Sequence, residues 1–136
     1  LRDSVSDVPV RTLRYYRVWS AIGWSFVALV VYLSLMRAPS MLDPKVFDVG
    51  HLVAYAWLML WFAQIHRPTG MRMLVAALLC ALGIAIEFAQ GMTGYRTFDY
   101  LDMITNTLGV MVGLLLARTP LQNALEAIER GMHRRA

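Results

Sequence analysis

The chain has 136 residues, enough for one domain, with 58% hydrophobic and only 16% charged residues. Its mean hydropathy is +0.51, and a water-soluble domain of this size has too little interior to hide that much apolar surface, so the composition points to lipid as solvent. The net charge of +4 does not argue for nucleic acid, because the basic residues cluster between apolar runs, where they read as topology signals and contacts to anionic lipid heads.

Four apolar runs follow in chain order. Residues 1–12 read as weakly ordered, and 1–17 as a cytoplasmic N-terminal segment. Residues 11–17 before an apolar run resemble the start of a signal peptide, but 18–36 is uncharged, long enough to span, and not clearly followed by a small-residue cleavage pattern. Residues 49–65 hold one ionisable group, His51, near their start. Residues 73–86 are uncharged and continue through Glu87 to about Gln90. Residues 101–117 carry Asp102 and Asn106 in their first turns and are apolar beyond. At ~1.5 Å per residue these runs cover roughly 22–28 Å, which suits membrane helices. The single cysteine, Cys80, allows no intrachain disulfide and no cysteine zinc site; inside its apolar run it reads as a packing residue.

With the N-terminus inside, the inner segments hold Arg2, Arg11, Arg14, Arg17, Arg67, Arg72, Arg118, Arg130, Arg134 and Arg135, and the outer ones only Arg37, Lys45 and Arg96. That bias predicts two outer loops, 37–47 and 91–100, and cytoplasmic termini. Tyr15, Tyr16, Trp19 and Trp61 then fall near the inner interface. After Thr119-Pro120, a plausible helix start, Leu121, Leu125, Ile128 and Met132 recur at helical spacing. The spacing predicts an amphipathic helix within 118–136 lying on the inner surface, with Arg134 and Arg135 near lipid phosphates; a solvated helix is the alternative. The expected fold is thus all-α, an integral membrane four-helix bundle over 18–117 with a C-terminal amphipathic helix.

Residues 3, 4, 7 and 11 apart share a helix face. Asp102, Asn106, Gly109 and Gly113 form one such stripe, and Ala76, Cys80, Gly83, Glu87 and Gln90 another. Each is small at depth and polar at its outer end. Small residues let backbones approach in lipid, and polar ones turn inward for partners. The simplest arrangement sets these two helices face to face, with Glu87 and Gln90 opposite Asp102 and Asn106. Asp48, His51 and Tyr55 share roughly one face at the outer end of the second run, so polar groups remote in sequence converge at one depth. An acidic side chain at a membrane helix centre costs about 2.5–3.5 kcal/mol on insertion scales, which favours inward placement. Arg96 in the outer loop is a candidate partner for the carboxylates.

The segments HLVAY and EFAQGMTGYRTFDYLDMITNTLG, with the spacing between them, resemble the VanZ-like family of small bacterial membrane proteins. The family pattern is His-x-x-x-Tyr, then Glu-x-x-Gln, an Arg, and Asp-x-x-x-Asn-x-x-Gly. It falls on His51, Tyr55, Glu87, Gln90, Arg96, Asp102, Asn106 and Gly109. The likeness covers roughly residues 47–117. Relatives often carry Asp-Lys shortly before the His where this chain has Phe47-Asp48, so that lysine's role does not carry over. The resemblance implies a multi-pass protein of the bacterial inner membrane. The founding member is linked to low-level teicoplanin resistance.

Each polar residue also has a structural reading. Glu87 with Gln90 would serve as a helix–helix clamp, His51 as a satisfied histidine, and Tyr55 as a packing residue with a bonded hydroxyl. Arg96 would form a plain salt bridge, and Asp99 or Asp102 a cap. Three function classes remain. The favoured one is a binding or envelope-resistance protein whose outer polar pocket, formed by His51, Tyr55, Glu87, Gln90, Arg96, Asp102 and Asn106, holds a lipid head group, a cell-wall precursor or a glycopeptide. The second is an enzyme using Glu87, His51 and Asp102 on a lipid-linked substrate. The third is an accessory subunit of a larger membrane complex. No cofactor is expected, no helix carries a dense metal-ligand pair, and no activated serine or cysteine is evident.

Overall fold

The computed structural model describes residues 13–36, 44–95 and 98–134. Among them the structure is all-helical: α1 (Tyr16–Leu35), α2 (Pro44–Ile65), α3 (Thr69–Met92), α4 (Tyr100–Leu116) and, after a 3-10 turn at Pro120–Asn123, α5 (Ala124–His133). The runs 49–65 and 73–90 lie within α2 and α3, and 18–36 and 101–117 fill α1 and α4 and end at their C-caps, Met36 and Ala117. Several ends extend past the runs, as at the start of α3, where Arg72 continues the helix and meets the Ala63 and Ala117 carbonyls. The expected helix start at Thr119-Pro120 is present as the 3-10 turn, with the Thr119 side chain accepting from the Leu121 N–H at 3.3 Å.

The core is built around α2. Between Tyr55 and Ile65 every residue of α2 except Trp57 is buried. Helix α4 runs parallel to α2 and touches it along the glycine stripe. A Cβ on Gly109 would stand 2.5 Å from the Leu52 carbonyl oxygen, and one on Gly113 would stand 2.6 Å from that of Ala56. The expectation that this stripe faces α3 is therefore corrected for its glycines, while Asn106 does meet Gly83 of α3 and Asp102 does interact with Glu87. The glycines of the stripe take α2 as partner, because α2 presents backbone carbonyls that only a residue without a Cβ can approach so closely. Helix α3 runs antiparallel to both, and α1 packs on the outside of α2. Gly23 of α1 admits the Trp61 and Phe62 rings, and the Trp61 indole donates to the Trp19 carbonyl at 3.0 Å.

Large apolar side chains cover the outside: Trp24, Leu29 and Tyr32 on α1, Leu74, Leu78 and Phe88 on α3, and Ile104, Leu108 and Met111 on α4 are exposed. Such a surface suits acyl chains and far exceeds what a monomer in water presents. By length and composition α1 and α3 can each cross a membrane. The α4–α5 pair, bent by 76°, makes a third only if taken as one broken span.

One end of the helices is closed by α5. Leu125 is buried, and its N–H donates to the Gln64 side chain of α2 at 3.0 Å. Arg67 pairs with Glu126 at 2.9 Å. Arg72 of α3 donates to the Ala63 carbonyl of α2 at 3.1 Å and the Ala117 carbonyl beyond α4 at 3.3 Å, a cation placed at two helix C-termini. Glu129 is buried and accepts from the backbone N–H groups of Arg14 at 2.9 Å and Tyr15 at 3.0 Å and from the Trp19 indole at 2.8 Å. It thereby serves the start of α1, where Tyr15 supplies no side-chain cap. The amphipathic reading of the tail is thus corrected in one respect. Leu121, Ile128 and Met132 are exposed as an interfacial stripe would be, but the face that docks on the bundle joins Leu125 to the charged Glu129. Residues 1–12, the loop 37–43 and Arg135, each the subject of an expectation above, lie outside the described residues.

Two outcomes are expected. Gly113→Ala forces a methyl group onto backbone and lowers stability by about 1–3 kcal/mol or more. Gly131→Ala, where a Cβ meets nothing within 4 Å, is neutral or stabilising. Thermal unfolding in detergent compares the two. The Glu129 carboxyl is held below its ordinary range. Burial works against its charged form, but the hydrogen bonds from Tyr15, Arg14 and Trp19, with His133 nearby, outweigh it. Because the fold favours the ionised form, this stabilisation is complete above the ordinary carboxyl value of about 4.3 and is lost as pH falls through the depressed one. Hydrogen exchange of α5 amides, corrected for intrinsic rates, should therefore accelerate below about pH 4.3 and lose that acid step in Glu129→Gln.

Candidate functional site

At the end opposite α5 three helices each supply two residues one turn apart: His51 and Tyr55 on α2, Glu87 and the small Gly83 on α3, Asp102 and Asn106 on α4. Since α2 and α4 enter the bundle from this end and α3 leaves by it, each pair has its titratable member outermost. The result is two layers, an outer one of His51, Glu87 and Asp102 and a deeper one of Tyr55, Asn106 and Gly83.

The outer layer centres on Glu87, which is 1% exposed. Its carboxylate accepts the backbone N–H of Asp99, just ahead of α4, and interacts electrostatically with Asp102, Asp99 and His51. His51 and Asp102 are half-buried, and each has further interactions. Asp99 is the N-cap of α4, its side chain accepting from the Leu101 N–H at 2.8 Å. Phe98 lies on Gly91, 3.4 Å from where a Cβ would stand, and packs against Phe88 and Tyr100. That contact brings the segment before α4 back along α3 and sets the Asp99 N–H over Glu87.

The deeper layer is closed to solvent: Tyr55 is 0% and Asn106 3% exposed. Both side chains converge on Gly83. The Asn106 Nδ2 is 3.1 Å and the Tyr55 hydroxyl 3.3 Å from the place where a Gly83 Cβ would stand. Neither the Tyr55 hydroxyl nor the Asn106 Oδ1 has a hydrogen-bond partner among the described residues. A buried polar atom left without one costs about 1–3 kcal/mol.

Gln90 departs from its expected place. Instead of facing Asp102 and Asn106, its amide donates to the Ser34 carbonyl at the end of α1 at 2.7 Å. Tyr95 donates to the adjoining Leu35 carbonyl at 2.6 Å. The physical reason is the set of orphan carbonyls that closes every helix, which in apolar surroundings must find donors. Ser34, Tyr95 and the backbone of Asp99 have no distinctive spacing in the sequence. Only the approach of α1 and of the α3–α4 connection to α3 reveals their part. Arg96 lies outside the described residues. Among those residues no group of three or more His, Cys, Asp and Glu is placed to hold a metal ion.

The family model for VanZ/LLP1 matches residues 5–122, most of the chain and all of this cluster. The chain belongs to the VanZ-like family. With its apolar helices, this makes it a membrane protein of that family. It is also similar to an uncharacterized protein of Schizosaccharomyces pombe, 34% identical over 95 residues, which covers 66% of this chain and 57% of the relative. The chain thus spans little more than half the length of that relative. No solved structure matches.

Glu87 holds the N–H ahead of α4, so its loss should loosen that start. Glu87→Leu is expected to speed hydrogen exchange at Asp99 and the first turn of α4 at least tenfold, whereas Glu87→Gln, which keeps an acceptor oxygen, changes it little.

Proposed function

We propose that this VanZ-like protein binds the polar head of a membrane-borne molecule (a lipid head group, a cell-wall precursor or a glycopeptide) in the cluster formed by His51, Tyr55, Glu87, Asp102 and Asn106, with Gln90 bracing the neighbouring helix end; Arg96 is included on its place in the sequence alone. One observation carries this reading: a buried carboxylate ringed by titratable groups stands directly above two buried polar atoms that lack hydrogen-bond partners. Ionisable residues among membrane helices are costly and by default mark sites of function. A purely structural clamp would satisfy its own members, as Gln90 does.

In this reading the protein crosses the bacterial inner membrane four times. The end closed by α5 is cytoplasmic, because Arg14, Arg17, Arg67, Arg72, Arg118 and Arg130 gather there. The binding end then faces the extracytoplasmic leaflet, where head groups and cell-wall precursors are presented. Envelope protection follows if the bound molecule is sequestered or shielded.

Native mass spectrometry of protein extracted with its lipids tests the site. Co-purifying lipid is expected on the parent protein and at least fivefold depleted in His51→Ala and Glu87→Gln, with thermal unfolding otherwise alike. Full occupancy in both variants would remove the site from consideration. In a Cys80→Ala background, Thr93→Cys should react with an impermeant thiol reagent from outside and Thr69→Cys should not; the reverse pattern inverts the topology.

A further inference from the structure

We infer that α5 is an interfacial helix whose exposed face binds the anionic phospholipid head groups of the leaflet beside it. Ile128 and Met132 enter the acyl boundary, and Arg118, Arg130 and Arg134 meet the phosphates. The surface is distinct from the cluster at the other end of the bundle, and its occupancy is independent of what binds there.

The direction of the helix puts it at head-group level. The segment from Pro120 to His133 is bent by 76° from α4. With α4 along the bundle axis, α5 lies across the bundle end, close to the membrane plane. The apolar surface continues past the bend. Met111 and Leu115 are exposed on the lipid side of α4, and large apolar side chains are exposed again at Leu121, Ile128 and Met132. Ile128 and Met132 stand one turn apart, as do Arg130 and Arg134, and the exposed Ala127 and Gly131 fall between the two pairs. An apolar flank beside a cationic one suits the head-group region, where arginine stems lie along acyl chains and their guanidinium groups reach the phosphates.

Charge selects the lipid. Among the described residues the carboxylates at this end are Glu126 and Glu129, and both are engaged inward. Glu126 pairs with Arg67 at 2.9 Å, and Glu129 is buried against the start of α1. Arg17, Arg118, Arg130 and Arg134 are exposed, and none of them has an ion-pair partner among the described residues. The end of the molecule thus turns uncompensated positive charge outward. Each arginine close to an anionic membrane surface raises affinity for it roughly fivefold. An acidic protein or a nucleic acid would answer that charge but leave Ile128 and Met132 in water, whereas an anionic lipid answers both.

The docked side of α5 fixes the face on offer. Leu125, whose N–H is held by Gln64, and Glu129, held by the N–H groups of Arg14 and Tyr15, keep the opposite side against the bundle. The helix cannot roll its arginines inward without breaking those bonds.

The full chain carrying Cys80→Ala and Met132→Cys, labelled at the new thiol with an environment-sensitive fluorophore, is reconstituted in nanodiscs of phosphatidylcholine alone or of equal parts phosphatidylcholine and phosphatidylglycerol. Acrylamide, an uncharged quencher, reads access from water. The label should be at least threefold less accessible in the nanodiscs that contain phosphatidylglycerol. Combining Arg118→Gln, Arg130→Gln and Arg134→Gln should abolish the difference, and raised salt should weaken it. Ile128→Cys supplies a second label position should Met132→Cys disturb α5. Equal access in the two lipids, or a difference that survives the arginine substitutions, overturns the inference. Protection that appears only in nanodiscs holding two copies assigns the face to a second copy of this chain and overturns it as well.

Discussion

The parallel approach of α2 and α4 at Gly109 and Gly113 is the contact on which the rest of the molecule depends. In lipid the hydrophobic effect does not press helices together, so contact must come from shape. Two glycines let the α4 backbone reach the Leu52 and Ala56 carbonyl oxygens, closer than any side chain would allow. That approach fixes the register of α4 against α2. It is why Tyr55 and Asn106 stand side by side, and why His51 and Asp102, one turn outward on the same helices, share the layer above. A shift of one residue would turn Asn106 out of the core and dissolve both layers.

A second constraint shapes the two ends. Every helix leaves unpaired N–H groups at its start and carbonyls at its finish, and apolar surroundings supply no water for them. This chain answers with side chains from other helices. Glu129 of α5 takes the N–H groups at the start of α1, and Glu87 of α3 takes one ahead of α4. Arg72 serves the ends of α2 and α4, and Gln90 with Tyr95 serves the end of α1. The two buried carboxylates, Glu87 and Glu129, are therefore each engaged with backbone N–H groups, at opposite ends of the molecule. Glu87 differs from Glu129 in what surrounds it: Glu129 rests among donors, whereas Glu87 sits among other titratable groups above an unsatisfied floor. That contrast separates a structural cap from a candidate site.

Much of this was legible in the residues. Apolar runs and the glycine stripe announced helices that pack closely in lipid. The alternation of polar outer turns with small inner ones announced a cluster at one end, and the order of His51, Tyr55, Glu87, Gln90, Asp102 and Asn106 pointed to the family. The tail was half legible. Its period revealed a helix, but a stripe of Leu121, Leu125, Ile128 and Met132 reads as a lipid-facing surface until Glu129 is seen beneath it, since a lone glutamate on a polar face looks like solvated charge.

By itself the sequence determined the solvent, the helices and which residues share a face on each, because hydrophobic period and helix geometry are local properties of a chain. Only the tertiary structure decided which face meets which. It gave the α4 glycines to α2 instead of α3, turned Gln90 toward α1, and sank Glu129 into the bundle. Those choices depend on where backbone carbonyls and N–H groups of distant segments come to lie, and no local pattern records the position of an atom on another helix.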